Sequence, residues 1–221
     1  MNDKSSRLVM WCGPLFAALF IGVGFFLSGD EPGEKASGAT VIKFYAAHQG
    51  RGMISVFGTP LLVALLLLFA SGLRSRARRQ GKSDVGATVM LAGAVLWSSG
   101  ILLGSTIELA LLSASDHKQA DVAHVANVLN NADWLPFIGG IAIFMLGAGL
   151  AVLTSRFAPA WLGWVAIVVG VVSLAGPGGF VGFFAAPLWV LVVGIMLAVR
   201  RNDAATATAE PAVARPVPSA S

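Results

Sequence analysis

The chain has 221 residues, of which 56% are hydrophobic and 12% charged, with a mean hydropathy of +0.78. Soluble domains carry about a quarter charged residues, so this composition excludes an ordinary soluble globule and points to a membrane protein. The formal charge of +4 and pI near 9.7 do not imply a nucleic-acid partner, because the basic residues gather in short segments beside apolar blocks, where they orient spans.

The first apolar block, residues 8–28, follows Lys4 and Arg7 and has the outline of a secretory signal. Its length, and the lack of a small-x-small site directly after it, predict a retained first span instead. Five more spans are expected at 52–73, 85–112, 135–154, 160–176 and 180–199. Before the second, a Gly/Ser/Pro turn region leads into a short amphipathic helix. Spans two and three are joined by "RSRARRQGK", and the last two by "GPGG". The fold class expected is therefore an all-α membrane protein, a six-transmembrane-helix bundle with a short amphipathic outer helix before spans two and four. Residues 1–7 form a cytoplasmic N-terminus and 8–201 the transmembrane domain. The Ala/Pro-rich stretch 202–221 reads as a disordered cytoplasmic tail.

Orientation follows from the basic residues. With both termini cytoplasmic, the inner side holds eleven Lys and Arg residues, and Lys35, Lys43, Arg51 and Lys118 lie outside. That bias assigns the chain to the cytoplasmic membrane with its basic loops inside. Cys12 is the only cysteine, so an internal disulfide and a cysteine metal cluster are both excluded.

Residues 116–135 predict one continuous amphipathic helix, capped by Asp116 and lying on the outer surface with Val122, Val125 and Leu129 toward the membrane. His117, Asp121 and His124 share its polar side within about 60°. Such a trio can bind zinc or titrate together, but it lacks a fourth ligand, and a solvated helix face explains it without any metal.

Glu108 is the one acidic residue well inside an apolar block, and an ionisable group there normally faces protein or water. Gly86, Gly93, Gly100 and Glu108 all fall within about 40° of Gly104 on the helical wheel, a glycine stripe that admits a close helix neighbour. Hairpin symmetry about residue 79 brings Arg51 level with Glu108 and suggests a buried ion pair. That pair serves either as a register lock, the preferred role, or as a polar functional site.

The segments "FYAAHQGR", "LTSRFAPAWLGWVAIVVGVVSLAG" and "PLWVLVVGIMLAVRR" resemble a family of uncharacterised six-span membrane proteins common in actinobacteria. Pro159, Trp161, Leu162, Gly163 and Trp164 match the Pro-x-Trp-Leu-Gly-Trp opening of that family's fifth span. The resemblance implies six spans and carries no activity.

No hydrolase elbow, P-loop, dinucleotide fingerprint, HExxH or Cys-x-x-Cys occurs, so no catalytic residue or cofactor is assigned. The function expected is a structural, sensory or accessory membrane component. The alternative is a small-solute or proton-coupled transporter using Glu108. The lipid bilayer is the expected partner, with a second copy or another membrane protein beside it.

Overall fold

The computed structural model describes residues 3–26, 31–80, 85–175 and 178–199. The expected tail from residue 202, Lys82 of the basic loop and the first half of the GPGG turn lie outside the described residues. Among the described residues the chain is helical and contains no strand. The elements are α1 (Asp3–Phe26), α2 (Gly38–Ala47), α3 (Gln49–Gln80), α4 (Val85–Asp116), α5 (Ala120–Ala132), α6 (Trp134–Ser155), α7 (Ala160–Ser173) and α8 (Gly179–Val199).

Among the described residues four helical runs are long and apolar enough to cross a membrane: Gln49–Gln80, Val85–Asp116, Ala120–Ser155 and Gly179–Val199. α7, with 14 residues, is shorter; at ~1.5 Å per residue it reaches about 21 Å against a hydrocarbon core of about 30 Å. Their surfaces carry the mark of lipid contact. Phe57, Leu61, Leu68, Leu103, Val168 and Leu188 are all exposed, far more apolar surface than a water-soluble monomer presents.

The tightest pairing in the bundle joins α4 to α6, antiparallel. Gly93 and Gly100 of α4 lie directly against the backbones of Phe144 and Phe137. In return, Gly140 and Gly147 of α6 lie against the backbones of Trp97 and Met90. Gly86 meets Leu150 and Ala151, and Gly104 meets the Asp133 carboxylate. Contact positions on each helix thus advance by fours and threes, and at each of these levels one side lacks a side chain. Close backbone approach of this kind lets helices associate where lipid removes the hydrophobic drive between them. The glycine stripe of α4 therefore faces α6.

α1 packs against α3 and α8, while α7 lies on α6 and α8. The Trp189 indole donates to the Leu162 carbonyl at 2.9 Å, joining α8 to α7. Trp161 and Trp164 of the family-like motif are each 60% exposed, as expected of indoles facing lipid or its interface. A buried aromatic group of Phe16, Trp97 and Phe144 fills the middle of the bundle, its rings 5.3–5.7 Å apart.

Two sequence expectations change. The basic segment 74–80 is not a loop, because α3 continues through it to Gln80. The helix expected over 116–135 is broken: Lys118 adopts φ 54°. There the Gln119 N–H bonds the Ala114 carbonyl at 2.9 Å and the Lys118 N–H bonds that of Ser115 at 3.2 Å. This is a Schellman termination of α4, built here without glycine. Asp116 accordingly ends α4 instead of capping a new helix, and its carboxylate accepts from Gln49 Nε2 at 3.0 Å. α5 buries Ala123, Ala126 and Asn127 against the protein and leaves Val122, Val125 and Leu129, the side expected to face the membrane, about half exposed. α2 and α5 pack together across the end of α4, Gly38 abutting the backbone of Ala120.

Adjacent glycines on α6 separate packing from propensity. A methyl group on Gly140 collides with the α4 backbone, whereas one on Gly139 has nothing within 4 Å. Gly140→Ala should destabilise the protein by about 1–3 kcal/mol, and Gly139→Ala should be neutral or stabilise by about 0.5 kcal/mol. Thermal denaturation in detergent, followed by size-exclusion chromatography, measures both; equal shifts would contradict the seam.

Candidate functional site: a carboxylate-rimmed cavity beyond the glycine seam

The seam ends where α6 begins. Trp134 starts α6, with Asp133 at its cap level with Gly104, while α4 runs on past Glu108 to Asp116. With no α6 backbone opposite this last stretch, the glycine stripe opens into a cavity of about 910 Å³. One side is formed by Ser55, Thr59 and Leu62 of α3, another by Gly104, Ser105 and Glu108 of α4. Asn130 and Asn131 of α5, with Asp133 and Trp134, edge it at the α2/α5 end. Towards the bundle centre it is lined by Phe20, Phe137 and Phe183, from α1, α6 and α8. These three rings touch one another, with centroids 5.4–5.8 Å apart.

Glu108 is held from α3. The Ser55 hydroxyl donates to its Oε2 at 2.8 Å, and a methyl group on Gly52 would lie 3.4 Å from its Oε1. One turn along, the Thr59 hydroxyl bonds the Ser55 carbonyl at 3.1 Å and meets the Ser105 hydroxyl at 2.5 Å. A threonine hydroxyl has one proton. With that proton on the Ser55 carbonyl, Ser105 is the donor to Thr59, and the hydroxyls run as a ladder between α3 and α4.

The sequence named Glu108 with Arg51. In the structure the residue level with Glu108 is Ser55, one turn further along α3 than Arg51; hairpin symmetry about residue 79 misplaced the register because α3 does not turn until after Gln80. The Arg51 guanidinium acts on Glu31, whose carboxyl is raised above its ordinary range by desolvation and held back by the Asn130 amide and by that Arg51 charge. The Tyr45 hydroxyl on α2 is also pushed up, first by burial and then by the negative charges of Glu31 and Glu108. Both shifts reflect a dehydrated, negative environment at this end of the bundle.

Asp133 was not singled out from sequence. It occupies the N-cap position of α6 yet makes no side-chain cap hydrogen bond. Aspartate at this position ordinarily accepts from the first turn of its own helix. Here the carboxylate lies instead over Gly104, one turn before Glu108 on α4, and both residues line the cavity.

The expected polar face of His117, Asp121 and His124 does not form one surface. His117 sits in the turn after α4 with Nδ1 on the Ser113 carbonyl at 2.8 Å, whereas His124 bonds the Ala36 carbonyl at 3.0 Å. A carbonyl only accepts, so both imidazoles carry the Nδ1 proton. Asp121 borders a shallow apolar groove with Val122, Val125 and Leu129. Among the described residues no three His, Cys, Asp or Glu side chains are placed to hold a metal ion.

What the polar face of α5 does is fasten the segment preceding α2. Asn127 Nδ2 donates to the Gly33 carbonyl at 3.0 Å and Asn130 Nδ2 to Glu31 Oε2 at 3.2 Å. Asn131 Nδ2 donates to the Asn127 carbonyl at 2.8 Å and reaches the Pro32 carbonyl at 3.4 Å. Residues 31–36 thereby form a strap beside the cavity.

Comparison with known proteins finds no matching family model, no matching curated protein and no matching solved structure.

The strap can be tested directly. Asn127 is almost fully buried, and Asn127→Ala removes its bond to Gly33, a loss of about 1–2 kcal/mol where a buried partner is left unpaired. Amide hydrogen exchange should accelerate over residues 31–36 and stay unchanged in the α4–α6 seam; unchanged exchange at 31–36 would show that α5 does not hold the strap.

Proposed function

We propose that this chain is a six-span cytoplasmic-membrane protein, a member of the uncharacterised actinobacterial family it resembles, that binds a small solute in the cavity beside Glu108. Binding makes it a sensory or accessory component of the membrane. The observation carrying this reading is the cavity itself: about 910 Å³, apolar and aromatic on one side, with a few polar groups converging at the other. Sites for small organic molecules have that volume and that division of labour.

The distribution of basic residues supports an orientation with the α2/α5 end outside the cell and both termini in the cytoplasm. The cavity then opens in the outer half of the bilayer. Six crossings require α1 and α7 to serve as spans, α7 with local thinning of the bilayer or interfacial anchoring by Trp161 and Trp164.

A transporter is the second reading, favoured by the position of Glu108 inside a membrane-spanning helix and on the cavity wall. Transport would require the packed rings of Phe20, Phe137 and Phe183, with Trp97 and Phe16 beneath them, to separate. Their close packing favours binding over conduction.

Thiol accessibility tests the site and its side of the membrane together. In a Cys12→Ala background, Ser105→Cys should react with a membrane-impermeant methanethiosulfonate added outside intact cells, and Ala94→Cys, fully buried among the core residues, should not. Protection of both positions, or labelling of Ser105→Cys only from the cytoplasmic side, would overturn the proposal.

A further inference from the structure

The chemistry of the cavity lining identifies the class of solute, an inference that rests on the cavity being a binding site. We propose that the occupant is a monovalent organic cation with an apolar or aromatic body, its charge beside Glu108 and Asp133 and its body against the rings of Phe20, Phe137 and Phe183.

Charge comes first. Among the described residues two carboxylates line the cavity, and no lysine, arginine or histidine does. Glu108 receives a neutral hydrogen bond from Ser55, and Asp133 makes no side-chain hydrogen bond to the start of α6. Carboxylates withdrawn from bulk water and supported by neutral donors gain most from a positive partner. An anionic solute would meet repulsion from both, and a neutral one would leave them uncompensated. Asn130 and Asn131 at the rim leave room for hydrogen bonding to a protonated amine and have no charge to oppose it.

Size separates an organic cation from a metal ion. The cavity is far larger than any inorganic cation, and the described residues provide no cluster of three acidic, cysteine or histidine ligands. Most of its surface belongs to apolar side chains, with Phe20, Phe137 and Phe183 in mutual contact on the side towards the bundle centre. Aromatic rings attract cations electrostatically and accept flat apolar groups without a desolvation cost. Negative groups on one side and rings on the other therefore select for a molecule with both features.

The experiment uses two isosteric probes of opposite charge, tetraphenylphosphonium and tetraphenylborate, with the full-length protein in nanodiscs of neutral lipid and scintillation proximity detection. Saturable one-to-one binding of the phosphonium, absence of saturable borate binding, and a loss of roughly tenfold or more in phosphonium affinity in Glu108→Gln are expected, the last being a factor equivalent to about 1.4 kcal/mol of charge interaction. Asp133→Asn should weaken binding as well, and Phe137→Ala should weaken it without changing the preference between probes. Thermal unfolding of each variant establishes that it is folded; if Glu108→Gln fails to fold, Asp133→Asn carries the test. Equal binding of both probes, or phosphonium binding indifferent to both carboxylates, would overturn the cation assignment while leaving the cavity a solute site. Saturable binding of neither probe would overturn both.

Discussion

The close approach of α4 and α6 is the constraint from which the rest of the molecule follows. Gly86, Gly93 and Gly100 on one helix alternate with Gly140 and Gly147 on the other, each resting on the opposite backbone. A side chain at any of these positions forces the helices apart, because the atom in the way is main chain and cannot rotate aside. The pair is fixed in register as well as in distance, and Trp97, Phe144 and Met90, opposite the glycines, bury their side chains in the surrounding core. The cavity is a by-product of this register: α4 outlasts α6 by about three turns, and what would have been more seam becomes lined space.

Polar groups on the helices reinforce the contrast between scaffold and site. Ser75, Ser99, Thr106, Thr154 and Ser173 each return their hydroxyl to the carbonyl four residues earlier, which satisfies them within their own helix. In a bilayer, where no water is available, that is the least costly arrangement. The bond from Ser55 to Glu108 and the contact of Thr59 with Ser105 break this habit by reaching across to another helix. Both occur at the cavity wall. Hydroxyls paired between α3 and α4 around a carboxylate distinguish this wall from those five hydroxyls, each satisfied within its own helix.

Hydropathy made the apolar helices legible, and the cost of a buried carboxylate made Glu108 legible. The stripe of Gly86, Gly93, Gly100 and Gly104 also announced a close neighbour, though its identity did not follow from one helix alone. The answering signal lay on α6, where Phe137, Gly140, Phe144 and Gly147 repeat with the same alternation of threes and fours. Extending that alternation back one step reaches Asp133, which loop-like surroundings disguised. The break at Lys118 was hidden for a different reason: helix ends of this type usually announce themselves with glycine, and here a lysine takes the left-handed conformation. Ser55 and Thr59, four apart on one face of α3, were visible as a pair but had no meaning until the hairpin register was known. The partners of Asn127, Asn130 and Asn131 are 94 to 99 residues away in the chain, beyond any local pattern.

Disulfide trapping of the seam just below the cavity tests the account most directly. A Cβ on Gly100 would lie 3.0 Å from that of Phe137, close to the separation of about 3.5–4.5 Å that a disulfide spans. Gly100→Cys combined with Phe137→Cys, in a Cys12→Ala background, should crosslink under mild oxidation in native membranes. Gly100→Cys combined with Ile141→Cys, one turn out of register, should not. Crosslinking of the out-of-register pair alone would contradict the register and, with it, the placement of Asp133 beside Gly104 and the shape of the cavity.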